Sequence, residues 1–236
     1  MEKQGGGFEG TRRELKVGGR EFPVRRLTVK PEFVTPPNKE IAERIRREAE
    51  IVSWVYDQAS ESWLGDGDFA VPLPDEPAGN FGQRRIYNGI PRSIHTGLDI
   101  SAAQGDPVGA ANAGKVVLAS DLYLSGKTVI VDHGLGVFTS YGHLSKLEAK
   151  RGDVIAKGAI IGLVGSTGRS TGPHLHWGVR IRDSRVDPSS LLALSLGLPA
   201  EKGRDEHGRA DADDQVRPPD AHADDVGSAR FCFHHI

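Results

Sequence analysis

The chain of 236 residues has a single cysteine, Cys232, which excludes an internal disulfide framework, a paired-cysteine zinc ribbon and a CxxC redox motif. Any metal must then be held by histidine and carboxylate. The formal net charge of −2 leaves no basic footprint for nucleic acid. No apolar run approaches the ~18 residues of a membrane-spanning helix, so no transmembrane segment is expected. The opening stretch MEKQGGGFEG lacks the apolar centre of a secretory signal. What the chain has in quantity is glycine, 30 residues, which points to tight turns between short strands rather than to a helical bundle. A chain of this length can bury one sizeable core without staples.

Four regions follow from the pattern. In residues 1–34, Leu15, Val17, Phe22 and Val24 alternate around Gly18-Gly19, which reads as a β-hairpin that Leu27 and Val29 extend. An isolated hairpin is marginal in water, so it is expected to pack on the main domain or to be the remnant of an upstream one. In residues 35–68, Asn38 offers a helix N-cap after two prolines, and Ile41, Ile45, Ala49, Val52 and Tyr56 recur at helical spacing. Residues 64–94 read as a loop-rich entry to a main domain spanning 69–195. From Ile94 to about Leu192 short apolar runs alternate with glycine turns, without helix signals, so the fold class is mainly β, a Gly-rich antiparallel sheet. Residues 196–236 are acidic and poor in large apolar side chains, and read as a disordered tail.

The β region carries polar residues where a plain β core would not: His95 and Asp99 in HTGLD, His143 in YGHLS, and His174 and His176 in PHLHW. Residues two apart on a strand share a face at ~6 to 7 Å, so His174 and His176 present two imidazoles to one surface. His95 and Asp99 would lie ~13 Å apart on a straight strand. A bend is therefore needed between them, and Gly97 is placed to allow it. A His-Asp pair plus one further histidine suits Zn²⁺ with its fourth position open, a catalytic arrangement.

The set HTGLD, YGHLS and GSTGRSTGPHLHWGV resembles the lysostaphin/LytM-type zinc metalloendopeptidases, peptidase family M23, over roughly residues 69–192. The resemblance implies a LytM-like fold and one Zn²⁺ bound by His95, Asp99 and His176. It implies that His143 and His174 are the catalytic non-ligands that handle the proton and the oxyanion. The implied substrates are peptidoglycan peptides, in cross-bridges or stem peptides. Tyr141, two residues before His143 and so on its face if the strand continues, is an additional candidate for substrate contact. Arg169, in the glycine-rich loop that would wall the groove, is another, through a substrate carboxylate. A non-catalytic peptidoglycan-binding or hydrolase-activating module of the same fold is the alternative. A phosphocarrier ranks below both, because it has no use for the His-x-His strand and the ligating Asp.

Other residues read as structural. His133 sits in a turn and is expected to be solvated; Trp177, on the opposite face from the His pair, belongs to the core. The glycine-rich loop lacks the Gly-Lys-Ser/Thr ending of a phosphate loop. Cys232, His234 and His235 read as an incidental tail. The family acts in the cell envelope or outside the cell, whereas no signal is legible, so the chain is expected to begin inside a longer protein, with non-classical export as the alternative. An intramolecular contact between the N-terminal segment and the catalytic domain would follow.

Overall fold

A computed structural model describes residues 14, 16, 18–74 and 77–194. The tail and its Cys232, His234 and His235 lie outside them.

Strand β1 (Val24–Leu27) is followed by helix α1 (Lys39–Tyr56). Asn38 caps the helix as expected: its backbone is extended and its side chain accepts the Ile41 N–H at 2.9 Å. The packed face differs from the expected stripe at one place, since Val55 is buried and Ala49 is exposed. Val55 packs with Leu118, Leu122, Ile130 and Phe138, while Tyr56 meets Phe138 edge-on at 5.2 Å. Two polar clasps fix the first half of the helix: the Arg44 guanidinium donates to the Asp121 carbonyl, and Glu48 accepts the Tyr123 N–H.

The first arm of the expected hairpin is not among the described residues, and its second arm, β1, has a partner elsewhere in the chain. Leu15 and Val17 lie outside the described residues, and β1 runs parallel to β2 (Arg84–Tyr87), which pairs in turn with β3 (Ile90–Ile94). The segment read as loop thus holds two strands. Asn88 and Gly89 both have positive φ, 50° and 83°, as a two-residue primed turn requires. This Asn-Gly pair is a strong hairpin signal; the prolines and glycines around it, together with Pro91 on the edge strand β3, mask it.

The main sheet is antiparallel. Strands β4 (Leu98–Ser101) and β5 (Pro107–Gly109) precede a long run of β6 (Gly114–Leu122), β7 (Gly126–Asp132) and β8 (Val137–Leu144). After them come β9 (Lys146–Leu147), β10 (Val154–Ile155), β11 (Ile160–Leu163), β12 (His174–Ile181) and β13 (Ser184–Val186). The order is β10-β6-β7-β8-β12-β13, with β4 also on β12; β5, β11 and β9 form a small separate sheet. Alternation sends Val129 and Val131 of β7 into the main core with Leu175 and Trp177, and Ile130 to the opposite face, where α1 covers it. Trp177 is fully buried, as its position opposite the His pair implies. A short helix, α2 (Pro188–Leu192), closes the domain; Asp187 caps it and Pro188 opens it, a start signal that the all-β expectation does not include.

Candidate metal and catalytic site

The site is assembled across β12. This strand pairs with β4 on one side and β8 on the other, so that His176 lies opposite both Asp99 and Gly142. Leu175 and Trp177 point to the core, leaving His174 and His176 together on the groove face. His95 lies in the bend between β3 and β4, which brings it back over Asp99. Gly97 is needed there for space rather than for an unusual φ. A Cβ would meet the Trp177 carbonyl at 2.5 Å and the His176 ring at 2.9 Å.

His95 Nε2, Asp99 Oδ1 and His176 Nδ1 are each 3.0 Å from the other two. They form the one cluster among the described residues whose donor atoms could hold a metal ion. A tetrahedral ion with bonds of ~2.0–2.2 Å has donors about 3.3–3.6 Å apart, so this two-nitrogen, one-oxygen set fits with a slight expansion. The surrounding bonds orient the donors. His95 Nδ1 donates to the Asn80 carbonyl at 2.9 Å, which turns the Nε2 lone pair inward. Asn80 Nδ2 and Arg85 Nη2 both donate to Asp99 Oδ2, leaving Oδ1 for the cluster, and the Asp99 N–H donates to Asn80 Oδ1. Burial opposes ionisation of Asp99, but the hydrogen bonds and charges of His176 and His95 outweigh it and hold the carboxyl well below the usual range. Burial lowers the pKa of His176, against the raising effect of Asp99.

The other two histidines stand beside this cluster. The His143 and His174 rings are 4.8 Å apart, and His174 Nε2 is 3.7 Å from Asp99 Oδ1. His143 Nδ1 donates to the Thr167 carbonyl at 2.7 Å, and His174 Nδ1 donates to the Gly172 carbonyl at 2.8 Å. In a neutral ring such a bond places the proton on Nδ1 and leaves Nε2 as the acceptor. Burial, with the charges of His176 and His174, pushes the pKa of His143 down to about 3. It is therefore a neutral imidazole, able to accept a proton.

Tyr141 does not reach the groove, and the reason lies in the backbone of His143. His143 has φ 63°, a left-handed conformation that costs a non-glycine residue roughly 1–2 kcal/mol. That turn interrupts the alternation of β8, so the two residues do not share a face. Tyr141 pairs with Trp177 in register and is fully buried; its hydroxyl accepts the Ala111 N–H at 2.7 Å. Arg169 does line the groove, its guanidinium 4.5 Å over the Tyr87 ring. His133 is corrected from solvated to fully buried: its nitrogens meet the Ala113 carbonyl and Thr139 Oγ1. Asn80 and Arg85 give no signal in the sequence, because they lie in the stretch without periodicity.

A seven-stranded antiparallel sheet carrying a His-Asp-His cluster and two attendant histidines defines a metallopeptidase-like domain, and comparison gives it a family. The profile of peptidase family M23 matches residues 93–188, and the chain carries a domain of that family with the LytM/lysostaphin-like fold. Over 98 residues it is 45% identical to DD-carboxypeptidase/endopeptidase Mpg of Neisseria meningitidis serogroup B, covering 42% of this chain and 23% of that protein. Over 109 residues it is 38% identical to peptidoglycan DD-endopeptidase ShyA of Vibrio cholerae, covering 46% and 25%. The matched part thus spans about a quarter of the length of these relatives. A crystal structure described as a peptidase M23 from Pseudomonas aeruginosa superposes with a TM-score of 0.58 at 36% identity, covering 66% of this chain and 63% of that one.

Proposed function

We propose that this chain is a zinc-dependent endopeptidase that hydrolyses peptide bonds of peptidoglycan, in cross-bridges or stem peptides. The observation that carries the reading is the triangle of His95 Nε2, Asp99 Oδ1 and His176 Nδ1, with two further histidines beside it that are anchored through Nδ1. The name of the Vibrio cholerae relative, a peptidoglycan DD-endopeptidase, supplies the substrate class. With no cysteine among the donors, the nitrogen and oxygen set suits zinc. When bound, the ion supplies Lewis acidity toward the scissile carbonyl and makes a water molecule acidic enough to attack it.

The protein residues do the rest. Asn80 and Arg85 hold Asp99 in place before substrate arrives, and the Asn80 carbonyl orients His95. Within the pair His143 and His174, one Nε2 accepts the proton of the attacking water, donates to the oxyanion while it carries that proton, and returns it to the leaving amine. The glycine-rich loop 165–172 walls the groove along Pro173 and His174. Such a substrate places the protein in the cell envelope or outside the cell. No helix among the described residues is long and apolar enough to cross a membrane.

The test is zinc content of the purified full chain together with solubilisation of peptidoglycan with and without chelator. One zinc per chain and chelator-sensitive cleavage are expected. His176→Ala is expected to lose both metal and cleavage, while His174→Ala keeps the metal and loses cleavage. Zinc-independent binding without cleavage would establish the non-catalytic module instead.

A further inference from the structure

The turn that joins β6 to β7 forms part of the groove wall, and the helix α1 holds it from behind. Leu124 and Ser125 of this turn line the cavity that contains His95, His143 and His176. Their carbonyls accept two backbone N–H groups: Leu124 takes that of Arg169 and Ser125 takes that of His143, each at 2.8 Å. The side chain of His143 is tied to the same pair of segments, since its Nδ1 donates to the Thr167 carbonyl of the glycine-rich loop. His143 therefore keeps its left-handed backbone, φ 63°, between two loops that are bonded to each other. On the strand side, Thr128 Oγ1 meets Ser125 Oγ at 2.9 Å. On the helix side, Glu48 Oε2 accepts the Tyr123 N–H at 2.7 Å, while Glu48 Oε1 accepts from Arg44 Nε at 2.6 Å.

The side chain of Glu48 is 16% exposed and both of its oxygens are engaged, so its bond to Tyr123 is charge-assisted and partly shielded from water. The Tyr123 side chain adds three contacts. Its hydroxyl donates to the Glu32 carbonyl at 3.2 Å, its ring lies 5.3 Å from that of Phe33, and the Arg44 guanidinium stands 5.7 Å over it. The stretch 93–188 that matches the family profile contains the turn, but not Glu32, Phe33, Arg44 or Glu48, which hold it. We infer that Glu48 is a positioning residue for the reaction: it fixes the turn 123–125 and, through that turn, the aim of the His143 imidazole. This rests on the peptidase reading above and deepens it, because it makes α1 a working part of the site rather than a connector that precedes it. A reacting group misplaced by about 1 Å costs on the order of 10²-fold in rate, so a turn that slackens by a fraction of that distance is felt in kcat.

The test uses the full metal-loaded chain and a peptidoglycan-derived peptide. Glu48→Ala is expected to lower kcat by about tenfold while KM and metal content stay as they are. Glu48→Gln, whose amide oxygen still accepts the Tyr123 N–H, is expected to recover most of that loss. Asn38→Ala removes the helix cap without touching the 123–125 turn; it controls for stability and is expected to leave kcat unchanged. In the His143→Ala background, Glu48→Ala is expected to lower kcat no further, because the two residues act as one unit. A further tenfold fall there, or an equal fall in Asn38→Ala, would mean a general structural loss and overturns the inference. Hydrogen exchange reads the coupling without turnover. The His143 amide is expected to exchange about tenfold faster in Glu48→Ala, while the amides of Val129 and Val131 keep their rates. If Glu48→Ala does not fold, Arg44→Met, which frees the other carboxylate oxygen, is read in the same two ways. Faster exchange at His143 in a chain that cuts no peptide supports the coupling and overturns the peptidase reading. Unchanged exchange at His143 overturns the coupling whether or not peptides are cut.

Discussion

His133 and His143 are both buried histidines on or beside the same pair of strands, and burial pushes the pKa of each down, to about 4 and about 3. They differ in what their neighbours leave over. His133 has both ring nitrogens engaged, Nδ1 with the Ala113 carbonyl at 2.7 Å and Nε2 with Thr139 Oγ1 at 2.8 Å. Thr139 continues to the Tyr141 hydroxyl, and that hydroxyl to the Ala111 N–H, so the chain of bonds closes on backbone at both ends. His143 uses Nδ1 alone, on the Thr167 carbonyl, and lines the groove with His95 and His176. A depressed pKa therefore does not distinguish the structural histidine from the reactive one. The nitrogen without a partner does, and the strained backbone of His143 shows what the fold spends to aim it.

That contrast breaks most sharply at His143. The His143→Ala protein is expected to retain its metal while kcat falls by about 10²–10⁴, as expected for loss of a proton-handling group. Metal content by elemental analysis beside steady-state kinetics checks it, and a loss of metal would move His143 into the ligand set. The matching experiment on His133 concerns stability. Its pKa is lowered by burial, against the raising effects of the Ala113 carbonyl and Asp132. The unfolded chain thus takes up a proton near pH 6.5 that the folded chain refuses until about pH 4. Stability falls as pH drops through that window, by about 3 kcal/mol in all, and is unaffected by this group above it. Denaturant unfolding from pH 7 to pH 4 should show the loss, and the difference between the curves for the unaltered protein and His133→Gln isolates this residue's share.

The contrast also separates what sequence reveals from what it conceals. The His-x-His strand, the HTGLD segment and the helix cap at Asn38 are legible because each depends on local spacing: period two on a strand, a bend over four residues, a polar residue before a helical stripe. His133 and Tyr141 escape such rules because their environments come from partners distant in sequence. His133 follows β7 at what reads as a solvent-facing turn, yet Ser60 donates to the adjacent Asp132, and Phe69 packs edge-on against the ring at 5.0 Å. For Tyr141, the regular alternation that would aim it at the groove is broken by the φ of His143. Asn80 touches both His95 and Asp99 from a stretch without periodicity, where no spacing rule applies. The glycines illustrate both sides. Gly89 serves a turn, as a glycine-rich β chain implies, whereas Gly97 serves the close approach of the β12 backbone and the His176 ring, visible in three dimensions alone.

The smallest effect, and the most discriminating for the structural half of the contrast, is expected from Tyr141→Phe. The substitution keeps the ring packed beside Trp177 and removes only the hydroxyl at the far end of the His133 chain. The Ala111 N–H is then left buried without its acceptor, and Thr139 loses one of its two partners. A cost of about 1–2 kcal/mol is expected, seen as a lower denaturant midpoint with an unchanged slope. Because the hydroxyl points into the core, KM and kcat should stay as they are. A fall in kcat at unchanged stability would instead place the Tyr141 hydroxyl in the groove, and would mean that β8 flips its alternation when substrate binds. The two readouts are independent, since one follows the closed chain of hydrogen bonds and the other the nitrogen that His143 keeps open.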